Sequence, residues 1–413
     1  MMARTLGIDF GTSNSAAGYL VDGAPRLIEF DGDRTMPTAI FLDYDARETL
    51  MGAAANEALL EGSEGRYMRA LKRALGTSLM HEKRQLMNER ITFVDLIARF
   101  LRRIKAQAEQ ETGLVFDQAL SGRPVFFHKA GDAREQQAED DLRACYLAAG
   151  FRDVAFMAEP EAAAIASNAL ERPGEVGLIV DIGGGTSDFS VFRSGADGVS
   201  ILANHGVRIG GTDFDRSISF DHVMPLMGKG SRLRKVMGEG TTPVPQAIYN
   251  DLATWEHIPF LYTAQTRRQV AEMVKLAAEP DKLERLARIL EDELGHELAF
   301  AVEAGKIDVN RNGYAGTIGM SEIEPGLSMT IRAEQVAASL EPFARELSTG
   351  LEDTLVLAET EAAAIDRVIY VGGSSLMTMV SDTMKAALPD ARHEFAEVFT
   401  AVADGLAIAA GRT

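Results

Sequence analysis

The stretch GLIVDIGGGTSDFSVF (Gly177 to Phe192) decides the fold, because LGIDFGTSNSAAGYL (Leu6 to Leu20) repeats its design. In each copy an apolar run stops at an Asp, turns through Gly and Thr, and resumes as a second strand, which is the pattern of a β-hairpin with a Gly-rich tip. One such tip is by itself an ordinary tight turn. The same order of strand, Asp, Gly, Thr and strand met twice points to duplication. Glycine lets a backbone approach a ligand closely, so successive N–H groups can converge on phosphate oxygens, and an Asp at each tip can hold the hydration shell of Mg²⁺. These residues suit a Mg-nucleotide between two related halves.

The chain of 413 residues is too long for one core and suits two lobes, each carrying an insertion. With 46% apolar and 25% charged residues it reads as an ordinary globular protein. A net charge of −19 argues against nucleic acid or anionic membrane as a partner, since phosphate backbones need a basic footprint. The single cysteine, Cys145 in DDLRACYLAAGF, excludes an intramolecular disulfide and reads as the buried face of a helix. MMARTLGIDF runs into the first strand with no apolar signal core, and no stretch has the length of a membrane span, so a cytoplasmic location is expected.

Three further segments accompany the two tips: MRALKRALG (Met68 to Gly76), AEPEAAAIA (Ala158 to Ala166) and GVRIGGTDFD (Gly206 to Asp215), with VIYVGGSS (Val368 to Ser375) nearer the C-terminus. DFGTSNS and DIGGGTSD resemble the two phosphate segments of the actin-like ATPase superfamily. The other four resemble the lysine-bearing stretch, the EPTAAAIAY helix, the LGGEDFD turn and the adenosine-binding VGGS turn of heat-shock 70 (DnaK-type) chaperones. The chain is particularly similar to the short YegD-type members of that family. The resemblance implies an α/β actin-like ATPase fold of two duplicated ribonuclease-H-like lobes. Lobe I takes residues 1–172 (core 1–33 and 121–172, insertion 34–120), to which the closing helix in 395–413 returns. Lobe II takes 173–394 (core 173–216 and 311–394, insertion 217–310). It also implies ATP/ADP and Mg²⁺ as cofactors, with K⁺ as an optional further ion, slow ATP hydrolysis, and protein partners or co-chaperones that sense the nucleotide state. A peptide-binding β-domain is not expected within this chain.

Hydrolysis of a phosphoanhydride asks for positioned donors, a divalent ion and a carboxylate to orient water. The resemblance gives Asp9 and Asp181 the metal, largely through water, and Gly11, Thr12, Ser13, Gly183, Gly184, Gly185 and Thr186 the phosphates. It gives Lys72 the terminal phosphate, with Arg73 facing solvent, and places Glu159 near the metal and Asp188 as a further water-positioning carboxylate. Which of the four carboxylates accepts the proton stays open. Ribose and base fall to Gly210, Gly211, Glu303, Lys306, Asn310, Gly372, Gly373 and Ser374. Glu303 and Lys306 share a helix face, and a surface ion pair is the alternative there. This chain departs from the family at Ile307, where an Arg stacks on adenine, at Asn310, in place of a Ser, and at Phe399, in place of an Asp. A small-molecule kinase and an actin-like filament protein are the competing readings on the same fold.

Local patterning predicts a helix from Thr92 to Thr112, a strand over PVFFHKA (Pro124 to Ala130), helices over AREQQAEDDLRACYLAAGF, Glu161 to Ala169 and Ala333 to Glu361, and an Ala-rich helix in AVADGLAIAAG. GKGSRLRKVMGEGTTPVPQ, basic through Lys229, Arg232, Arg234 and Lys235, reads as a solvated loop or as a contact for an acidic partner.

Overall fold

The structure, a computed structural model, describes residues 4–86, 89–128, 132–195, 198–395, 397 and 399–412. Contacts group the chain into two compact units. The first comprises Met1–Val207, Gly350–Leu376 and Met384–Thr413, and the second Arg208–Thr349 and Met377–Thr383.

The first unit holds two sheets of one topology. In the first sheet β1 (Thr5–Phe10) pairs antiparallel with β2 (Asn14–Val21), which pairs antiparallel with β3 (Ala24–Leu27). On the other side β1 runs parallel to β4 (Gln118–Arg123), and β4 to β5 (Asp153–Ala158). The second sheet repeats this with β6 (Val176–Ile182), β7 (Ser187–Ser194), β8 (Val199–Val207), β9 (Arg367–Val371) and β10 (Arg392–Phe395): two antiparallel steps to one side of β6 and two parallel steps to the other. The duplication met in two tips thus extends to whole sheets, as an actin-like ATPase fold requires.

One core joins the sheets. Leu120 of the first sheet and Ile179, Phe192 and Ile369 of the second are buried with Ala162 and Ala163 of the helix Glu159–Ala166 and Leu406 of the helix Ala401–Ala410. The two helices pack so tightly that a Cβ on Gly405 would lie 1.8 Å from the Ala162 carbonyl oxygen, so only glycine fits. The Ala401–Ala410 helix covers β1, β2, β3 and β4. A second core fills the other face of the first sheet, where Ile8 and Phe10 meet Phe100 and Ile104 of the helix Phe93–Thr112 and Leu142 and Cys145 of the helix Glu135–Ala149. The expected N-terminus at Thr92 is a capping box, with Asp95 N–H donating to Thr92 Oγ1 and Thr92 N–H to the Asp95 carboxylate. Cys145 is fully buried, and burial raises its thiol pKa, so it is a packing residue.

The strand expected over Pro124 to Ala130 lies upstream as β4, and residues 129 and 130 fall outside the described residues. Proline has no N–H for the ladder, and the next amides are used elsewhere: Phe127 and His128 donate to the Glu135 carboxylate at 2.9 and 2.7 Å. The strand itself, QALSGR, reads as polar yet is buried because small side chains are needed beneath the Ala401–Ala410 helix. The expected helix over Glu161 to Ala169 starts at Glu159 and ends at Ala166, and the helix from Ala333 ends at Leu357.

The second unit is mainly helical, with the helices Gly211–Ile218, Ala264–Leu276, Pro280–Glu291 and Gly295–Asn312 and the strand pair Ala315–Gly319 and Ser328–Arg332. The basic stretch forms a short hairpin, Arg232–Arg234 against Thr241–Pro243, with Val236 and Met237 exposed at its tip. Among the described residues no helix is long and apolar enough to cross a membrane.

Candidate functional site

Both hairpin tips fall where the sequence places them. The first, Gly11 to Ser13, is forced into a tight turn: a Cβ on Gly11 would sit 2.1 Å from the Asn14 carbonyl oxygen. It is braced from the side, with Thr38 N–H donating to the Ser13 carbonyl at 2.8 Å and the buried Ser15 and Thr38 hydroxyls bonded at 2.8 Å. The second tip, Gly183 to Thr186, closes through Gly183 N–H on the Thr186 carbonyl at 3.0 Å. The tips meet, since Ser13 Oγ is 2.8 Å from where a Gly184 Cβ would be.

Register separates the copies chemically. Asp9 lies opposite Ala16, whereas Asp181 lies opposite Asp188. Directly opposed side chains on an antiparallel pair sit about 4.5–5.5 Å apart at Cβ, so the second hairpin presents two carboxylates as a pair.

Lys72 sits on a 3₁₀ turn, Leu71–Ala74, rather than on a longer helix. The turn is entered through Ala70 at φ 55, a left-handed conformation that costs a non-glycine residue and clusters at functional sites. The buried Asp141 anchors the far end, accepting from Gly76 N–H at 2.9 Å and pairing with His81 Nε2 at 2.8 Å. Lys72 Nζ reaches Glu159 as an ion pair, with side chains 9% and 17% exposed. Glu159 opens its helix immediately before Pro160, where the helix dipole favours a carboxylate.

Electrostatics gather these residues into one cluster. Burial, and then the Glu159 charge, push Asp9 up to about 7 against the pull of Lys72. Asp181 is raised well above the usual carboxylate range by burial, Glu159, Asp188 and Asp9. Asp188 is pushed up to about 6 by burial and Glu159, with Lys72 and a Thr186 hydrogen bond opposing. Burial alone would lower the Lys72 ammonium, but Glu159, Asp9 and Asp181 outweigh it and the net shift is upward. Four carboxylates face one ammonium, which leaves a partly buried excess of negative charge carried by hard oxygen donors. That donor set fits Mg²⁺. Among the described residues no three His, Cys, Asp or Glu side chains are grouped so as to hold a metal ion directly.

The glycine turn after β9 abuts this cluster. Gly372 has φ 79, and a Cβ there would lie 2.6 Å from Asp181 Oδ1. Gly373 packs against the Phe399 ring, and Ser374 follows on the 3₁₀ turn Gly373–Leu376. Within the second unit, Gly210 N–H donates to Asp213 at 3.0 Å and Gly211 starts its helix. Lys306, 5% exposed, pairs with Asp215 at 2.8 Å, so the surface ion pair with Glu303 is not formed and Glu303 is exposed. Asn310 Oδ1 accepts from Thr378 N–H at 2.8 Å. Ile307 is exposed.

Arg73 faces solvent, as the sequence reading expects, and it also makes a contact the sequence does not announce. It is exposed over much of its surface, yet its guanidinium lies on the second tip, with an Nη2 2.1 Å from where a Gly185 Cβ would be. Nothing local signals this, because Arg73 and Gly185 meet only through the fold. Asp215 was likewise missed as the partner of Lys306, although it stands in the GGTDFD segment. A family model described as Hsp70 protein matches residues 5–234.

Proposed function

Because this chain belongs to the Hsp70 protein family of nucleotide-binding, chaperone-type ATPases, we propose that it binds Mg-ATP, hydrolyses it slowly, and uses closure of lobes 1–172 and 173–394 as a nucleotide-gated switch read by protein partners. The observation that supports this best is the carboxylate cluster on the duplicated hairpins. Burial and the Glu159 charge raise Asp9, Asp181 and Asp188, Asp181 also feeling the other two aspartates, and Lys72 pairs with Glu159 beside them. Such a cluster repels a bare anion and accepts a nucleotide accompanied by its cation.

Magnesium, when bound, supplies charge neutralisation for phosphates and carboxylates alike. Asp9 and Asp181 would hold it through water. The N–H groups of Gly11, Thr12 and Ser13 and of Gly184, Gly185 and Thr186 take phosphate oxygens, while Gly183, whose own N–H closes the tip on Thr186, shapes the cradle around them. Asp188, raised to about 6 and not assigned to the metal, is suited to accept a proton from an attacking water at neutral pH. Lys72 serves the terminal phosphate, and Glu159 holds it in place. Slow turnover is consistent with that pairing, since Lys72 must share its charge with Glu159. The proposal extends to adenosine contacts at Gly210, Gly211, Glu303, Lys306, Asn310, Gly372, Gly373 and Ser374.

Calorimetry with ATP and excess Mg²⁺, followed by phosphate release in a single turnover, tests the reading. Heat no greater than dilution, with no thermal shift, sinks it. For the switch, identical partners captured by the ATP-bound and ADP-bound protein would overturn gating while leaving binding intact.

A further inference from the structure

Lys72 and Arg73 are adjacent cations with opposite surroundings. Lys72 is buried and paired with Glu159, and its field acts on Asp9, Asp181 and Asp188. Arg73 leaves the same 3₁₀ turn on the solvent side, and its guanidinium covers Gly185 while Ser13 Oγ covers Gly184. A planar fork of N–H donors, a hydroxyl and the backbone of consecutive glycines therefore share one patch at the mouth of the two tips. A guanidinium matches phosphate oxygens in a bidentate way that an ammonium does not. A polyanion arriving from solvent meets Arg73 before it meets the carboxylates.

We infer that Arg73 contacts the terminal phosphate of the bound nucleotide and is the residue by which this site tells a nucleoside triphosphate from a diphosphate. The inference rests on the nucleotide reading above and goes beyond it by assigning phosphate-number selectivity to a residue the motif leaves at the surface. Lys72 then acts inside the carboxylate cluster, and Arg73 at its outer edge.

The test measures dissociation constants for Mg-ADP and a non-hydrolysable Mg-ATP analogue in wild type, Arg73→Ala, Arg73→Lys and Gly185→Ala. Losing a charge-assisted hydrogen bond to phosphate predicts about tenfold or more weaker triphosphate binding for Arg73→Ala, with diphosphate affinity changed no more than about threefold. Arg73→Lys regains only part of the loss, because charge is restored without the fork. Gly185→Ala keeps the charge but displaces the guanidinium, and lowers the triphosphate preference in the same direction. A triphosphate-to-diphosphate ratio within about twofold of wild type in Arg73→Ala overturns the assignment, on the scale of a contact that contributes nothing to selectivity. If thermal melting shows that Arg73→Ala does not fold, the same criterion applies to Arg73→Lys and Gly185→Ala. Wild type that binds neither nucleotide sinks the nucleotide reading itself, which is a separate outcome.

Discussion

The two hairpins of the first unit share strand order and the position of their leading aspartate, yet their tips differ in length, three residues against four, and they are not interchangeable. In the first hairpin Ala16 faces Asp9, and Gly11 is dictated by the Asn14 carbonyl. In the second hairpin Asp188 faces Asp181, and Gly183 has room to spare, its nearest neighbour to an added Cβ being the Thr186 carbonyl at 3.8 Å. Duplication supplied the backbone template, and the copies then specialised. The first tip is a rigid, braced turn with one carboxylate, and the second an open turn with two. Glycine at the first tip is fixed by backbone, whereas at the second Gly183 has room for a side chain and Gly184 and Gly185 lie against the Ser13 and Arg73 side chains.

The largest expected effect comes from removing the cation common to both hairpins. Lys72→Ala should lower turnover by about 10²-fold or more, the scale for one well-placed electrostatic group, while nucleotide affinity changes far less. Turnover within twofold would show that the cluster works without it. Next comes the contrast between tips. Gly11→Ala drives a Cβ into backbone and should cost about 1–3 kcal/mol of stability. Gly183→Ala should leave the melting temperature of the free protein close to wild type and weaken Mg-ATP binding instead. Equal destabilisation by the two substitutions would erase the difference drawn between the tips.

The carboxylates give a pH test. Asp9 and Asp188 have folded pKa values near 7 and 6, above their unfolded value, so the folded state holds more protons than the unfolded one between about pH 4 and 7. Their contribution to stability is complete below pH 4 and disappears as pH rises through the folded values. The metal-free protein should therefore lose stability from these groups between about pH 4 and 7, and Mg-ATP should restore most of it above that window. Asp188→Asn should flatten the profile of the second hairpin, whereas Ala16 offers no equivalent group in the first. Melting curves across that range, with and without Mg-ATP, decide it; a profile identical in Asp188→Asn would refute the pairing with Asp181. The smallest effect is expected in the second unit, where Ile307→Arg should tighten ATP binding by roughly 0.5–2 kcal/mol if a guanidinium can stack on the base. Unchanged or weaker binding would show that residue 307 does not face it.

Much of this was readable in one dimension, for a physical reason. Hairpin tips, caps and amphipathic faces are local: Asp9 and Asp181 stand one residue before the ends of their strands, just ahead of Gly and Thr, and Thr92 and Asp95 announce a helix within four residues. The contact between Lys72 and Glu159 has no local signal, since 87 positions separate them and neither has a distinctive local setting. The strand Gln118–Arg123 was misplaced because its small and polar residues answer to a helix from the far end of the chain, and its apolar neighbours after Pro124 look more strand-like than they are.

What the sequence alone determined is the duplicated hairpin chemistry, because propensity and turn geometry act over a few residues. The tertiary structure alone decided the rest: Gly372 resting on Asp181, Arg73 lying on Gly185, and Lys306 bound to Asp215 instead of Glu303. Each depends on burial and on contacts between distant segments, which set both pKa values and side-chain direction, and neither is encoded in spacing along the chain.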